Sequence, residues 1–158
     1  MDVDHQKFMR RAIELSMKGM KQGDGGPFGA VIVKNGEIIG EGWNKVLSSN
    51  DPTAHAEVVA IRDACKRISD FQLEDCILYT SCEPCPMCLG AIFWARPKAF
   101  YYGCTREDAA AIEFDDDFIY SQIDQSPDKR TIPALNLLRE EALKAFQYWK
   151  QMDMKTPY

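Results

Sequence analysis

The sequence predicts an α/β protein, a three-layer αβα sandwich on a mixed sheet, with residues 1–158 forming a single domain. Two patterns lead there: a hairpin signal at Asn35-Gly36, and helical periodicities that alternate with strand-like runs after it. Length is the third observation. A chain of 158 residues can bury roughly 70% of the surface its unfolded form exposes, so one full core needs no staples.

The elements follow in chain order. Asp4 is placed to cap a helix in which Phe8, Ala12, Leu15 and Gly19 recur at helical spacing, ending in the glycine-rich "KQGDGGPFG". "GAVIVKNGEIIGEGWN" then gives two β-branched runs about Asn35-Gly36, with Asn44 at the end of the second. "LSSNDPT" reads as a polar loop whose Asp51 and Thr53 can cap the next helix, and Val58, Ile61, Cys65 and Ile68 give that helix its apolar face. A strand "CILYTS", a loop-to-helix stretch "CEPCPMCLGAIFWARP" and a strand "AFYYGC" come next. "EFDDDFIYSQIDQSPDKRTIP" reads as mostly loop, and "ALNLLREEALKAFQYWKQM" as a long closing helix before the tail "DMKTPY".

Composition narrows the function classes. Nineteen Lys+Arg against 24 Asp+Glu give a net charge of -5, which opposes a polyanionic partner, so no nucleic acid is expected. No stretch reaches the ~18 apolar residues of a membrane span and the N-terminus has no apolar leader, which points to a cytoplasmic protein without a membrane role. Six cysteines in such a compartment are expected as thiols or metal ligands.

The chemistry is concentrated in two short stretches. "TAHAEVVAIRDAC" places His55, one of only two histidines, two residues before Glu57 at the start of a predicted helix. Thirty residues on, "CEPCPMC" puts Cys85 and Cys88 at i, i+3 in a first helical turn marked by Pro84 and Pro86. The helix dipole there favours thiolates, the form that binds metal. Two thiolates and an imidazole are three ligands, which leaves a tetrahedral Zn2+ one position for water and lets that water ionise near pH ~7 instead of ~15.7. Glu57 is then spaced to act as the catalytic proton shuttle. The HxE and PCxxC pair is the signature of zinc deaminases.

Blander assignments exist for each residue. Cys82 as a fourth ligand would make the zinc structural, although its loop position three residues before Cys85 suits a small wall residue better. An iron-sulfur cluster lacks its fourth cysteine, since Ile92 stands four residues beyond Cys88. Cys65, Cys76 and Cys104 fall on expected core faces, and His5 is expected at the surface. "GDGGPFG" precedes a strand and lacks a following Lys-Ser/Thr, so it is no phosphate loop, and no GxSxG elbow is present.

Taken together, "PFGAVIV", "WN", "DPTAHAEVVAIRDAC", "YTSCEPCPMCLGAIFWARP" and "FDDDFIY" resemble the bacterial guanine deaminases of the cytidine-deaminase-like zinc type over nearly the whole chain. The resemblance implies zinc held by His55, Cys85 and Cys88, with Glu57 moving protons during hydrolysis of guanine to xanthine and ammonia. It implies that Asn44 hydrogen-bonds the purine, that Phe28 and Trp94 wall the pocket, and that an acidic residue after the last core strand meets the guanine edge. That residue would be Asp116 with Asp115 beside it, and the run Asp115 to Asp117 allows a slip of one. A homodimer is implied, and the terminal segment from about residue 134, ending at Tyr158, is expected to close over a pocket, its own or that of a neighbouring subunit. A guanosine deaminase shares these ligands. A tRNA adenosine deaminase would need a basic surface, and a non-catalytic zinc module would need four protein ligands.

Overall fold

Asp4 accepts a hydrogen bond from the Lys7 backbone N–H at 3.1 Å and so caps α1 (His5–Lys21). The computed structural model describes residues 4–158. Phe8, Ala12, Leu15 and Gly19 are buried along one stripe of α1, as their spacing requires. Strands β1 (Gly29–Lys34) and β2 (Glu37–Trp43) pair antiparallel through a two-residue turn. Asn35 and Gly36 sit at φ 52° and 81°, the left-handed pair that this tight turn demands. A register shift between Ile32 and Val33 bends the ladder.

The chain then runs through α2 (Val46–Ser49), α3 (Ala56–Ile68), β3 (Cys76–Cys82), α4 (Pro86–Ala95), β4 (Ala99–Cys104) and α5 (Arg106–Ala110). The described residues form one four-stranded sheet in the order β2-β1-β3-β4. β1 lies antiparallel to both β2 and β3, whereas β3 and β4 are parallel and joined through α4. The sheet is therefore mixed. Val31, Val33 and Tyr79 pack with Phe8 and Leu15 of α1 on one face, and Ala30, Ile32, Cys76 and Leu78 pack with α3 and α4 on the other. That is the expected three-layer arrangement.

The face that α3 buries differs from the expected one. Ala56, Ala60 and Ala64 are fully buried, while Ile61, Cys65 and Ile68 pack only partly against the core and Val58 is half-buried. The reason lies in β2. A Cβ at Gly40 would stand 2.6 Å from the Ala60 carbonyl oxygen, and one at Gly42 would meet Ala56 O and lie 2.5 Å from Ala60 N. Glycine on the strand and alanine on the helix let two backbones approach closely, and a pattern read by the largest apolar residues misses so small an interface.

Other departures have local causes. Asp51 Oδ1 accepts from Thr53 N and Oγ1 at 2.8 and 2.7 Å, a turn of its own, so α3 begins at an N-cap His55 that makes no side-chain cap bond. Part of "LSSNDPT" is the single turn α2, stopped by Asn50 at φ 49°. His5 is half-buried, hydrogen-bonded through Nδ1 to the Tyr79 hydroxyl at 2.8 Å and 4.5 Å from the Tyr101 ring. Burial pushes the Tyr79 phenol up to about 12. Cys76 is buried and Cys65 half-buried, but Cys104, on the outer strand β4, is exposed. Cys82 ends β3 and does not lie in a loop.

The chain divides into two compact units, the first ending at Asp116 and the second running from Asp117 to Tyr158. Within the second are α6 (Asp117–Ile123), a 3-10 turn (Pro127–Lys129) and α7 (Arg139–Gln151). The stretch expected as loop thus contains a seven-residue helix and a three-residue 3-10 turn, too short to display a period. The closing helix starts at Arg139 and not near residue 134, because Leu138 before it takes φ 54°. Arg130 Nε and Thr131 N donate to Gln122 O and Oε1, folding the loop back on α6.

Replacing Gly42 by Ala is expected to cost about 1–3 kcal/mol, since the obstacle is helix backbone and not a flexible side chain. Thermal denaturation checks this. Gly90→Ala, in the open interior of α4, should leave the midpoint unchanged or raise it. A second expectation concerns acid. Arg11 Nε and Nη2 clamp both Glu41 oxygens at 2.7 and 3.0 Å and hold this carboxyl below its ordinary range. Its stabilisation is complete above the unfolded value near ~4.3 and is lost as pH falls through the lower folded value. Glu41→Gln should therefore show a shallower loss of midpoint than the parent between roughly pH 3 and pH 5.

Candidate metal centre and active site

Two helices begin side by side on the α3/α4 face of the sheet, and each opens on a residue whose side chain does no capping. His55 is the N-cap of α3 and Cys85 the N-cap of α4, both in extended conformation without a side-chain cap bond, with Pro86 at the first position of α4. Cys88 follows at the third helical position, on the same face as Cys85. His55 Nδ1 lies 3.5 Å from Cys85 Sγ and 3.5 Å from Cys88 Sγ, and the three ligand atoms fall within 4.8 Å of one another.

These distances can be tested against a metal. A tetrahedral zinc with Zn–S near 2.3 Å and Zn–N near 2.05 Å has an S···N edge of about 3.6 Å. The observed edges agree with that, so the residues present fit zinc. Their protonation chemistry agrees as well. The Cys88 thiol and then His55 hydrogen-bond Cys85 and bring it down to about 4, while the same pairing, with burial, pushes Cys88 up and Cys85 raises His55. A thiolate with two neighbours that still hold protons is the arrangement a divalent cation displaces.

Glu57 sits one residue into α3, is buried, and accepts a hydrogen bond from Thr80 Oγ1 at 2.8 Å. Burial pushes its carboxyl up from the usual range, which suits a group that must take and return a proton near neutral pH. Asn44, the residue after β2, is buried. Its backbone N–H donates to Phe28 O at 3.0 Å, and its Oδ1 accepts from Val46 N at 3.1 Å. Gly25 is pressed against it, for a Cβ there would stand 2.9 Å from Asn44 Cγ. Phe28 is half-buried and meets Phe114 edge-on at 5.0 Å and 85°. Asp116 is the least exposed of the three aspartates, 3.8 Å from Arg106 Nε, with Asp115 and Asp117 exposed beside it. Trp94 stands in the last turn of α4, 63% exposed, and Tyr158 belongs to the second unit. Cys82 Sγ points to Thr105 O at 3.6 Å and is not among the clustered ligand atoms.

Two residues of this neighbourhood escaped sequence reasoning. Thr80 carried a weak signal, as the one hydroxyl in the alternation Cys76, Leu78, Thr80, Cys82 on the face toward α3. Phe114 stands directly before the aspartate run but reads there as loop.

Residues 2–104 match the cytidine and deoxycytidylate deaminase zinc-binding region. The chain belongs to that deaminase family. Its zinc-binding region spans every one of His55, Glu57, Cys85 and Cys88. The chain is 57% identical to the guanine deaminase of Bacillus subtilis over 156 residues, 99% of this chain and 100% of that protein. The X-ray structure of Bacillus subtilis guanine deaminase superposes with a TM-score of 0.96 at 57% identity, covering 99% of both chains. A tRNA-specific adenosine deaminase of Haemophilus influenzae is 44% identical over 108 residues, 68% of this chain and 62% of that one. The α/β fold with its mixed sheet is that of this deaminase family, a class of zinc-dependent aminohydrolases.

Cys85→Ser and Cys88→Ser are each expected to abolish stoichiometric zinc in purified protein, measured by atomic emission. Zinc uptake by the metal-free chain should also release protons and weaken as pH falls, because the ion competes with protons on Cys88 and His55.

Proposed function

We propose that this aminohydrolase converts guanine and water to xanthine and ammonia. One observation carries the substrate assignment: the likeness to a guanine deaminase runs through residues 105–158, where the zinc-binding region common to the wider family has ended. A net charge of -5 agrees with a small base as substrate and not an RNA stem.

In this proposal His55, Cys85 and Cys88 hold zinc, which supplies Lewis-acid activation of water at neutral pH. Glu57 takes a proton from the attacking water and delivers it to the ring nitrogen beside the carbon under attack, then takes the remaining proton of the added hydroxyl and delivers it to the amine as the C–N bond breaks and the carbonyl forms. One carboxyl suffices because the transfers are sequential, and its burial keeps competing water away. Asn44 hydrogen-bonds the base and Phe28 supplies an apolar wall, with Trp94 as a second wall residue. Asp116, or Asp115 beside it, accepts from the N–H donors of the guanine edge, a role that adenine cannot satisfy at its unprotonated ring nitrogens. Arg106 Nε lies 3.8 Å from Asp116 Oδ1 and forms an ion pair with it. We assign residues 1–158 to one working enzyme in the cytoplasm, active as a homodimer, in which the segment from about residue 134 to Tyr158 closes a substrate pocket. No described helix is long and apolar enough to cross a membrane.

A substrate panel tests this: ammonia release is expected from guanine, with guanosine, adenine, cytosine and tRNA at background. Preferred turnover of guanosine would shift the assignment to the nucleoside. Glu57→Ala should retain zinc and lose on the order of 10²- to 10⁴-fold in kcat, the usual contribution of general acid-base transfer.

A further inference from the structure

Thr80 occupies a position where a hydroxyl has a cost. It is completely buried on β3, on the face shared by Leu78 and Cys76, where the neighbouring core is alanine, isoleucine and leucine. Valine has the same shape and a stronger preference for a buried strand, and an unbonded hydroxyl in such surroundings is destabilising. The hydroxyl is bonded, and to a single kind of group: Oγ1 donates to Glu57 Oε1 at 2.8 Å, across 23 residues of sequence.

The proton-carrying assignment of Glu57 makes that bond consequential. A glutamate side chain has three torsions, and a carboxyl that must meet water, ring nitrogen and leaving amine in turn has to be held in one orientation throughout. The α3 backbone fixes its Cα, and the close seating of Ala56 and Ala60 on Gly42 fixes α3. The Glu57 backbone N–H and the Cys88 thiol also reach the carboxyl, and Thr80 is the donor that the sheet supplies. We infer that Thr80 is a positioning residue for the deamination, anchoring Oε1 of Glu57 from the sheet so that Oε2 is left to exchange protons with water and substrate. This rests on the guanine deaminase reading above and adds to it a residue outside the HxE and PCxxC pair.

The two anchors come from different layers. His55 and Glu57 ride on α3, Cys85 and Cys88 on α4, and Thr80 on the strand that leads to α4. The hydrogen bond therefore ties the proton carrier on one helix to the strand that sets the height of the other. A hydrogen bond to a charged partner contributes about 1.5–3 kcal/mol, which as lost transition-state positioning is roughly 10- to 150-fold in rate.

The test compares Thr80→Val, Thr80→Ser and Thr80→Ala in zinc-loaded protein. In Thr80→Val, kcat for guanine should fall by about 10- to 100-fold with KM changed less than about twofold and zinc content unchanged, and Thr80→Ser should recover most of kcat. An independent readout is infrared difference spectroscopy without substrate, in which the Glu57 carboxyl band is identified as the one missing from Glu57→Gln. That band should move in Thr80→Val and return toward the parent position in Thr80→Ser. If Thr80→Val does not fold, Thr80→Ala against Thr80→Ser gives the same contrast, with and without the hydroxyl. A hydroxyl-free variant with parent kcat and an unmoved carboxyl band overturns the inference, as does a serine variant no better than valine. Failure of the substrate reading looks different: the parent enzyme itself would leave guanine untouched, and the infrared comparison would still decide whether Thr80 holds the carboxyl.

Discussion

The fold turns on bringing two helix N-termini to one point. The His55 imidazole stands 3.5 Å from each of two thiols that lie 30 and 33 residues further along the chain, which requires α3 and α4 to start side by side. The mixed sheet makes that possible. β3 and β4 run parallel, so the crossover between them must be a helix on one face, and β1 and β2 feed α3 onto the same face. With α1 covering the opposite face, the central strands β1 and β3 are buried on both sides and the helix starts are held by that core.

Depth on that face is set by small residues. Had β2 carried larger side chains at positions 40 and 42, α3 would ride higher on the sheet, and His55 and Glu57 would move with it. The buried carboxyl has the most to lose from such a shift. It depends on a hydroxyl from β3 for its orientation and on exclusion of solvent for its proton affinity, and both are short-range. The chemistry of the site is thus a property of helix-to-sheet spacing as much as of the residues that touch the metal.

Legibility in the sequence followed the same physics. The hairpin, the capping of α1 and the HxE and PCxxC stretches are readable because each depends on local spacing or on one residue's conformational preference, with Asn35-Gly36 and Asp4 as the single-residue signals. The alanine face of α3 is not, since Ala56, Ala60 and Ala64 are chosen by what β2 lacks, and that partner is far away in sequence. Cys104 reads as buried because its strand is apolar, but strand burial depends on position in the sheet and β4 lies at its edge. His5 reads as a surface residue for want of a visible partner, which is Tyr79, 74 residues on. Among the candidate site residues, Asn44 follows β2, Glu57 opens α3, and His55, Cys85 and Cys88 cluster at two helix starts, positions that local spacing announces, whereas Thr80 has only an alternation to announce it and Phe114 only its proximity to the aspartates.

The hairpin tip has a practical side. Strands of this length run on the order of 20 Å, and β1 begins at Gly29 beside Phe28 and Asn44 while its other end reaches the turn. Nothing lies within 4 Å of a Cβ built at Gly36. An affinity handle, a fluorophore or an anchoring linker attached at this turn would hang from the end of the hairpin opposite Phe28 and Asn44, and enzyme immobilised there would be held by the end of β1 away from those residues.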